Sequence, residues 1–134
     1  MGASPYYDLP GTRRTIVPVD VVAASASTLF ALLRAPDAIT VESVRYTAGI
    51  AHTGDAVNTK NVNLQTRNST FGAAVEVATR DYAAGTNDAA GDLVNLDTTE
   101  RDIASGAFLA VQIEQVGAGI RFVASFIIDW RGQE

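Results

Sequence analysis

Residues 107–130 read AFLAVQIEQVGAGIRFVASFIIDW, and this stretch constrains the chain more than any other. Two apolar runs flank Gly117-Ala118-Gly119. Glycine has no Cβ and takes positive φ without a clash, so the triplet suits a tight reversal between two strands. The expectation is a β-hairpin at the centre of a β-sandwich. In the second run Ile120, Phe122, Ala124, Phe126 and Ile128 share one face, and Val123 and Ile127 lie on the other. An edge strand is expected to carry charge or other protection. Apolar residues on both faces therefore imply either a central strand or a subunit interface. On the second alternative Phe122, Phe126, Ile128 and Trp130 are the candidate self-association residues.

The rest of the chain repeats the same theme in shorter pieces. Residues 15–22 read TIVPVDVV, with Thr15, Val17, Val19 and Val21 on one face. Pro18 cannot donate to a ladder, so this strand belongs at an edge or is paired on one side. Residues 28–35, TLFALLRA, fit a short helix or a buried strand; their length favours a strand, closed by Pro36. Residues 39–48 alternate, but the phase shifts between Val41 and Val44, as a β-bulge near Glu42-Ser43 would produce. Residues 60–67 place Val62 and Leu64 on one face and Asn61, Asn63, Gln65 and Arg67 on the other. Residues 73–82 place Val75 and Val77 inward and Glu76 and Arg80 outward. A short strand follows over residues 93–96. No helical i, i+3, i+4, i+7 pattern is sustained. About eight short strands with regular turn signals indicate an all-β, single-domain antiparallel β-sandwich.

With 134 residues the chain suits one domain, which we place at residues 15–134. Residues 1–14 read as an extended N-terminal arm, with Gly2, Pro5, Pro10 and Gly11 and no periodicity. Tyr6, Tyr7 and Leu9 are too apolar for a purely solvated tail, so the arm either folds back on its own domain or reaches a neighbouring subunit. No signal peptide or membrane span is expected. Cysteine is absent, which excludes disulfides and thiolate metal sites. Ten basic residues against fifteen acidic ones, with Lys60 the single lysine, argue against a nucleic-acid partner.

Candidate chemistry is sparse. His52 precedes Asp55 by three residues, which would suit a base and its orienting carboxylate, but no nucleophile stands in a recognisable context and a lone loop histidine is usually solvated. Asp81, Asp88, Asp92, Asp97 and Asp102 lack the order of a calcium loop and read as turn residues. Asn68-Ser69-Thr70 matches a glycosylation sequon and reads as a polar turn. Trp130 suits a packing lid, or a sugar platform if exposed. No catalytic residue, metal ligand or cofactor site is assigned, and the chain is not expected to be an enzyme.

From Leu29 to Ile128 a further pattern is present: Leu32-Leu33-Arg34-Ala35-Pro36, Thr53-Gly54, Asn58-Thr59, Val62-Asn63-Leu64, Leu93-Val94-Asn95-Leu96, Arg101, Ile103-Ala104-Ser105-Gly106 and Leu109-Ala110-Val111. It resembles small β-sandwich virion proteins of bacteriophages, of the capsid decoration (cement) or head-fibre type. The resemblance implies a jelly-roll-like fold, assembly as a homotrimer or part of a lattice, and binding to the major capsid protein. It implies a virion location, on the outer capsid surface, after synthesis in the host cytoplasm. The arm, with Tyr6, Tyr7, Leu9, Arg13 and Arg14, is the candidate capsid contact. The alternative is a β-sandwich binding module for a carbohydrate or a host surface.

Overall fold

The computed structural model describes residues 11–23 and 27–133. They form eleven strands: β1 (Arg13–Val21), β2 (Thr28–Arg34), β3 (Ile39–Ala48), β4 (His52–Thr53), β5 (Thr59–Arg67), β6 (Val75–Tyr82), β7 (Asn87–Asp88), β8 (Leu93–Asp97), β9 (Arg101–Ile103), β10 (Phe108–Val116) and β11 (Phe122–Gly132). The first sheet runs β1-β11-β3, with β8 and β9 one after the other along the far edge of β3. The second runs β2-β10-β5-β6, and β4 pairs with β7 apart from both. All pairings are antiparallel.

The order is that of a jelly roll. With β8 and β9 taken as one position and the β4–β7 pair set aside, eight positions remain. The first pairs with the last (β1–β11), the second with the seventh (β2–β10), the third with the sixth (β3–β8) and the fourth with the fifth (β5–β6). A chain doubled back on itself in this way and wrapped into two sheets gives the two Greek keys of that fold. Inward positions of both sheets meet in one core, among them Val19, Val44, Tyr46, Leu64, Val111, Phe122, Phe126 and Ile128.

Several sequence expectations hold. β1 pairs only with β11, and Pro18 lies opposite Ser125, so the proline does sit on an edge strand. Residues 28–34 are a strand. In β3, Ser43 faces Asp129 while Val41 faces Trp130, which leaves Glu42 over as the bulge. That extra residue lets Ile39 and Val41 on one side of it, and Val44 and Tyr46 on the other, all reach the core.

The expected closing hairpin does not form. β10 lies between β2 and β5 in the second sheet, and β11 lies between β1 and β3 in the first. The glycine turn carries the chain from one sheet to the other. Gly117 and Gly119 do take positive φ, at 66° and 63°, and the Gly119 N–H donates to the Val116 carbonyl at 3.2 Å. Positive φ tightens a crossover as well as a hairpin, so the local signal could not separate the two. The second correction is in β6. Leu64 faces Ala78 and Gln65 faces Glu76, leaving Val77 as a bulge. The inward set is displaced in part: Val77 packs against the core and Glu76 is exposed as expected, but Val75 is exposed, Tyr82 is fully buried, and Arg80 turns toward the interior edge.

The crossover also packs closely against its surroundings. A Cβ on Gly119 would stand 2.6 Å from the Ala23 carbonyl oxygen and 2.7 Å from Gln115 Oε1. Gly85 has φ of 90° but open space around it. Gly119→Ala is therefore expected to cost about 3 kcal/mol, from backbone strain plus the clash, and Gly85→Ala about 1 kcal/mol from strain alone. Urea unfolding of the two variants measures the difference, and equal losses would show that the crossover is not tightly packed.

Candidate functional site

The most concentrated polar chemistry among the described residues is buried at the side of the sandwich where β6, β7 and β4 meet. Asp88 on β7 is its centre. Its Oδ2 accepts from the Tyr82 hydroxyl and from His52 Nδ1, the latter at 3.0 Å. Its Oδ1 accepts from Arg80 Nη2 at 2.6 Å. The Tyr82 hydroxyl also bonds the Tyr46 hydroxyl, which comes from β3 in the other sheet. The His52 and Asp88 side chains are essentially without solvent contact. Burial alone would push the Asp88 carboxyl up, but the bonds from Tyr82, His52 and Arg80, with the Arg80 charge, hold it below the usual carboxylate range. Burial pushes both tyrosine hydroxyls well above their ordinary values.

Local sequence explains how His52 is delivered there. The β4–β7 pair sets His52 opposite Asp88. Gly54, directly after β4, donates to Thr86 O and Asn87 Oδ1, and a Cβ there would lie 1.8 Å from the Ala83 carbonyl oxygen. Only glycine lets the two loops approach so closely. The His52 ring stacks on Phe122, with centroids 4.8 Å apart. Its Nε2 accepts the backbone N–H of Val123 at 3.1 Å, so Nδ1 carries the proton and donates it to Asp88. Both ring nitrogens are therefore committed. This imidazole–carboxylate pair resembles a base and its orienter, yet the nitrogen that would face a substrate is bonded to β11 inside the fold. The arrangement acts as a tie between sheets.

The structure corrects the pairing read from spacing. Asp55 does not reach His52; its Oδ1 accepts the N–H groups of Val57 and Asn58, which hold its carboxyl low. Nor is His52 a solvated loop residue. Of the five aspartates read as turn residues, Asp92 accepts the Ala89 N–H, Asp97 accepts the Thr99 N–H and pairs with Arg101, and Asp102 accepts from Thr40. Asp88 departs from that reading, and so do Asp81, inside β6, and Asp102, inside β9 opposite Thr40. Among the described residues no three His, Asp or Glu side chains gather as a metal site. Asn68 Oδ1 accepts from Thr70 and Gly72, which makes the sequon a polar turn. Lys60, on the inner face of β5, is buried with its ammonium donating to the Val22 carbonyl at 3.1 Å, and burial lowers its pKa.

The candidate association residues are placed differently from one another. Tyr6, Tyr7 and Leu9 lie outside the described residues. Arg13 and Arg14 belong to β1, opposite Trp130 and Asp129, and not to an arm. Phe122, Phe126 and Ile128 are fully buried and Trp130 is 6% exposed, with its indole N–H donating to Thr15 Oγ1 at 3.0 Å. Of the two alternatives left by the sequence, β11 is a central strand, and these four side chains are core. They are not available to a second subunit, and Trp130 is not a sugar platform.

The surface that remains is the outer face of the first sheet. The register lines up Ile16, Ile127 and Arg45 in one row and Pro18, Ser125, Thr47 and Leu93 in the next. Ile16 is 60% exposed and Leu93 50%. Charges close both ends: Asp129 holds Arg14 at 2.8 Å and Arg45 at 3.1 Å, and Asp20 holds Arg121 at 3.2 Å. An apolar centre with a paired, polar rim is the usual build of an association surface. Val123 and Ile127, the second apolar face of the last strand, were its trace in the sequence; Ile16 and Pro18 lie on the same side.

No protein family matches the sequence, and no curated protein matches it. Among solved structures, one chain in the structure of infectious bursal disease virus Gt strain is similar, with a TM-score of 0.34 and 12% sequence identity. The match covers 96% of this chain, which spans 37% of the length of that one.

Removing the central carboxylate should expose the weight of the tie. Asp88→Asn is expected to cost about 3 kcal/mol at neutral pH, because Arg80 is left beside a neutral amide and one donor loses its acceptor. A carboxyl whose folded pKa is depressed contributes stability that is present above its unfolded value of about 3.9 and is lost as pH falls through the folded value. The difference in unfolding free energy between wild type and variant should therefore be widest near neutral pH and shrink in acid. A pH-independent difference would remove the Asp88 charge from this account.

Proposed function

We propose that this chain is a structural bacteriophage virion protein that decorates the outer capsid surface, binds the major capsid protein and stabilises the assembled shell without catalysing a reaction. The observation that carries the reading is the outer face of the first sheet, with Ile16, Pro18, Val123 and Ile127 bounded by ion pairs. The pattern over residues 29–128 that resembles capsid decoration proteins supports the same reading, and jelly rolls are common in capsid architecture. Arg14 lies on the same side as Ile16, and in this reading it is a capsid contact together with Tyr6, Tyr7 and Leu9.

The physics asked of such a protein is modest. Each contact made only in the assembled shell favours assembly by mass action. Covering an interface of ordinary size, about 800 Å² on each partner, needs no more than one sheet face and its rim. Repetition over a symmetric shell multiplies a weak single contact wherever linked copies bind together.

Co-sedimentation with isolated capsids tests the reading. Wild-type protein should pellet with capsids, and Ile16→Asp should weaken that binding by about tenfold or more, since a charge at the centre of a desolvated patch costs over 1 kcal/mol. The variant's thermal midpoint should barely move, because Ile16 is largely exposed. Wild-type protein that stays in the supernatant at every capsid ratio would overturn the proposal. Removal of residues 1–12 with no loss of binding would take the arm out of it.

A further inference from the structure

Beside the buried tie, and open to solvent, lies a cleft of about 410 Å³ between β6, β7 and the start of β8. Its polar groups are planar, and Arg80, Asn87 and Asp92 are held by hydrogen bonds. The Arg80 side chain is 30% exposed; Nη2 is fixed on Asp88 at 2.6 Å, and Nε is buried away from solvent, so a ligand would meet the Nη nitrogens. Asn87 spends its Oδ1 on the Gly54 N–H at 2.9 Å, which leaves its amide N–H donors. Asp92 uses Oδ2 on the Ala89 N–H and keeps its other oxygen. Asn95 stands exposed on β8, next but one to Leu93, whose side chain is half exposed at the rim.

Charge decides which ligand fits. Asp88 and Asp92 outweigh Arg80, so a carboxylate or phosphate would meet net repulsion. A metal cation would meet the guanidinium already seated on Asp88. A neutral polyol meets neither objection. Each sugar hydroxyl both donates and accepts, and vicinal pairs match guanidinium, amide and carboxylate groups two at a time. The C–H face of a pyranose ring needs an apolar surface, which Leu93 supplies. Arg80 is immobilised through Asp88, itself bonded to Tyr82 and His52, so the ligand would find the donor pre-positioned.

We propose that the cleft lined by Arg80, Asn87, Asp92, Leu93 and Asn95 is a binding subsite for a neutral pyranose sugar. The cleft shares Leu93 and Asn95 with the edge of the proposed capsid face, but sugar binding is read on the free protein, so the inference holds if the capsid reading fails. It also differs from a sugar site at Trp130, which the burial of that ring removes.

Titration of ¹⁵N-labelled protein with methyl glucoside, methyl galactoside and methyl mannoside, each alone, tests it. At least one should shift the backbone and side-chain amide signals of Asn87 and Asn95 and the backbone signal of Leu93, in fast exchange, with a Kd of about 1–10 mM for a single ring. Asn95→Ala and Leu93→Ser should each weaken that sugar about fivefold or more while leaving the rest of the spectrum in place. Asn61→Ala, on the outer face of the second sheet, should leave the affinity unchanged. The proposal is overturned if no sugar moves these signals, if the shifts fall outside the cleft, or if sodium acetate or phosphate moves the same signals at lower concentration.

Discussion

The carboxylate of Asp88 is the point through which both sheets and the β4–β7 ladder are joined. A carboxylate taken out of water costs several kcal/mol unless its lone pairs are filled. Here they are filled from three directions: Tyr82 and Arg80 from β6 and His52 from β4. His52 then passes the connection to the Val123 N–H of β11, and Tyr82 passes it to Tyr46 of β3. The second sheet thus reaches the first by two hydrogen-bonded routes from Tyr82, one through Asp88 and His52 to β11 and one directly to Tyr46 of β3. The aromatic core continues the same tie, because Phe122 touches His52, Tyr46 and Tyr82 at ring distances of 4.8, 5.4 and 6.1 Å. Apolar packing holds the sheets together without direction; the network fixes how they face each other.

What could be read from the sequence follows the range of the interaction responsible. Strand identity was legible because alternation is local: β1, β3 and β5 show their inner faces in the order of Val, Ile and Leu residues. The bulge at Glu42 was legible because apolar residues on either side of it mark the phase. The bulge at Val77 was not, since β6 carries Glu76, Thr79 and Asp81 and has too few apolar residues to reveal a slip. Strand pairing was the largest loss. Gly117 and Gly119 report a backbone that needs positive φ, and a crossover needs it as much as a hairpin does. Which partner β11 takes depends on β1 and β3, which begin far earlier in the chain. The tie was out of reach for the same reason: His52 and Asp88 are 36 residues apart, and nothing near Asp88 distinguishes it from the turn aspartates around it.

The sheet edges explain why association should use a face. β1 has Pro18 near its middle, and β2 is bulged at Leu32, since Leu109 faces Leu33 while Ala110 faces Ala31. β6 is bulged at Val77 and carries charge, and the fourth position of the first sheet is broken into β8 and β9. Each device interrupts the row of backbone groups that another strand would need.

The two outer faces then differ in what covering them would gain. On the second sheet, Gln65 bonds Gln112 at 3.0 Å, Asn61 bonds Thr79 at 2.8 Å, and Arg67 bonds Gln65 at 3.0 Å. A partner laid there would have to match the donors and acceptors these bonds leave over, and each unmatched group costs about 1–3 kcal/mol. On the first sheet the charges are already paired with one another at the two ends, and the middle carries Ile16, Pro18, Val123 and Ile127 with the small hydroxyl residues Ser125 and Thr47. Covering that middle gains about 25 cal/mol for each Å² of apolar surface without breaking an existing bond. The same ion pairs that hold β1 to β11 and β11 to β3 therefore also prepare the face for a partner, by satisfying its polar groups before the partner arrives.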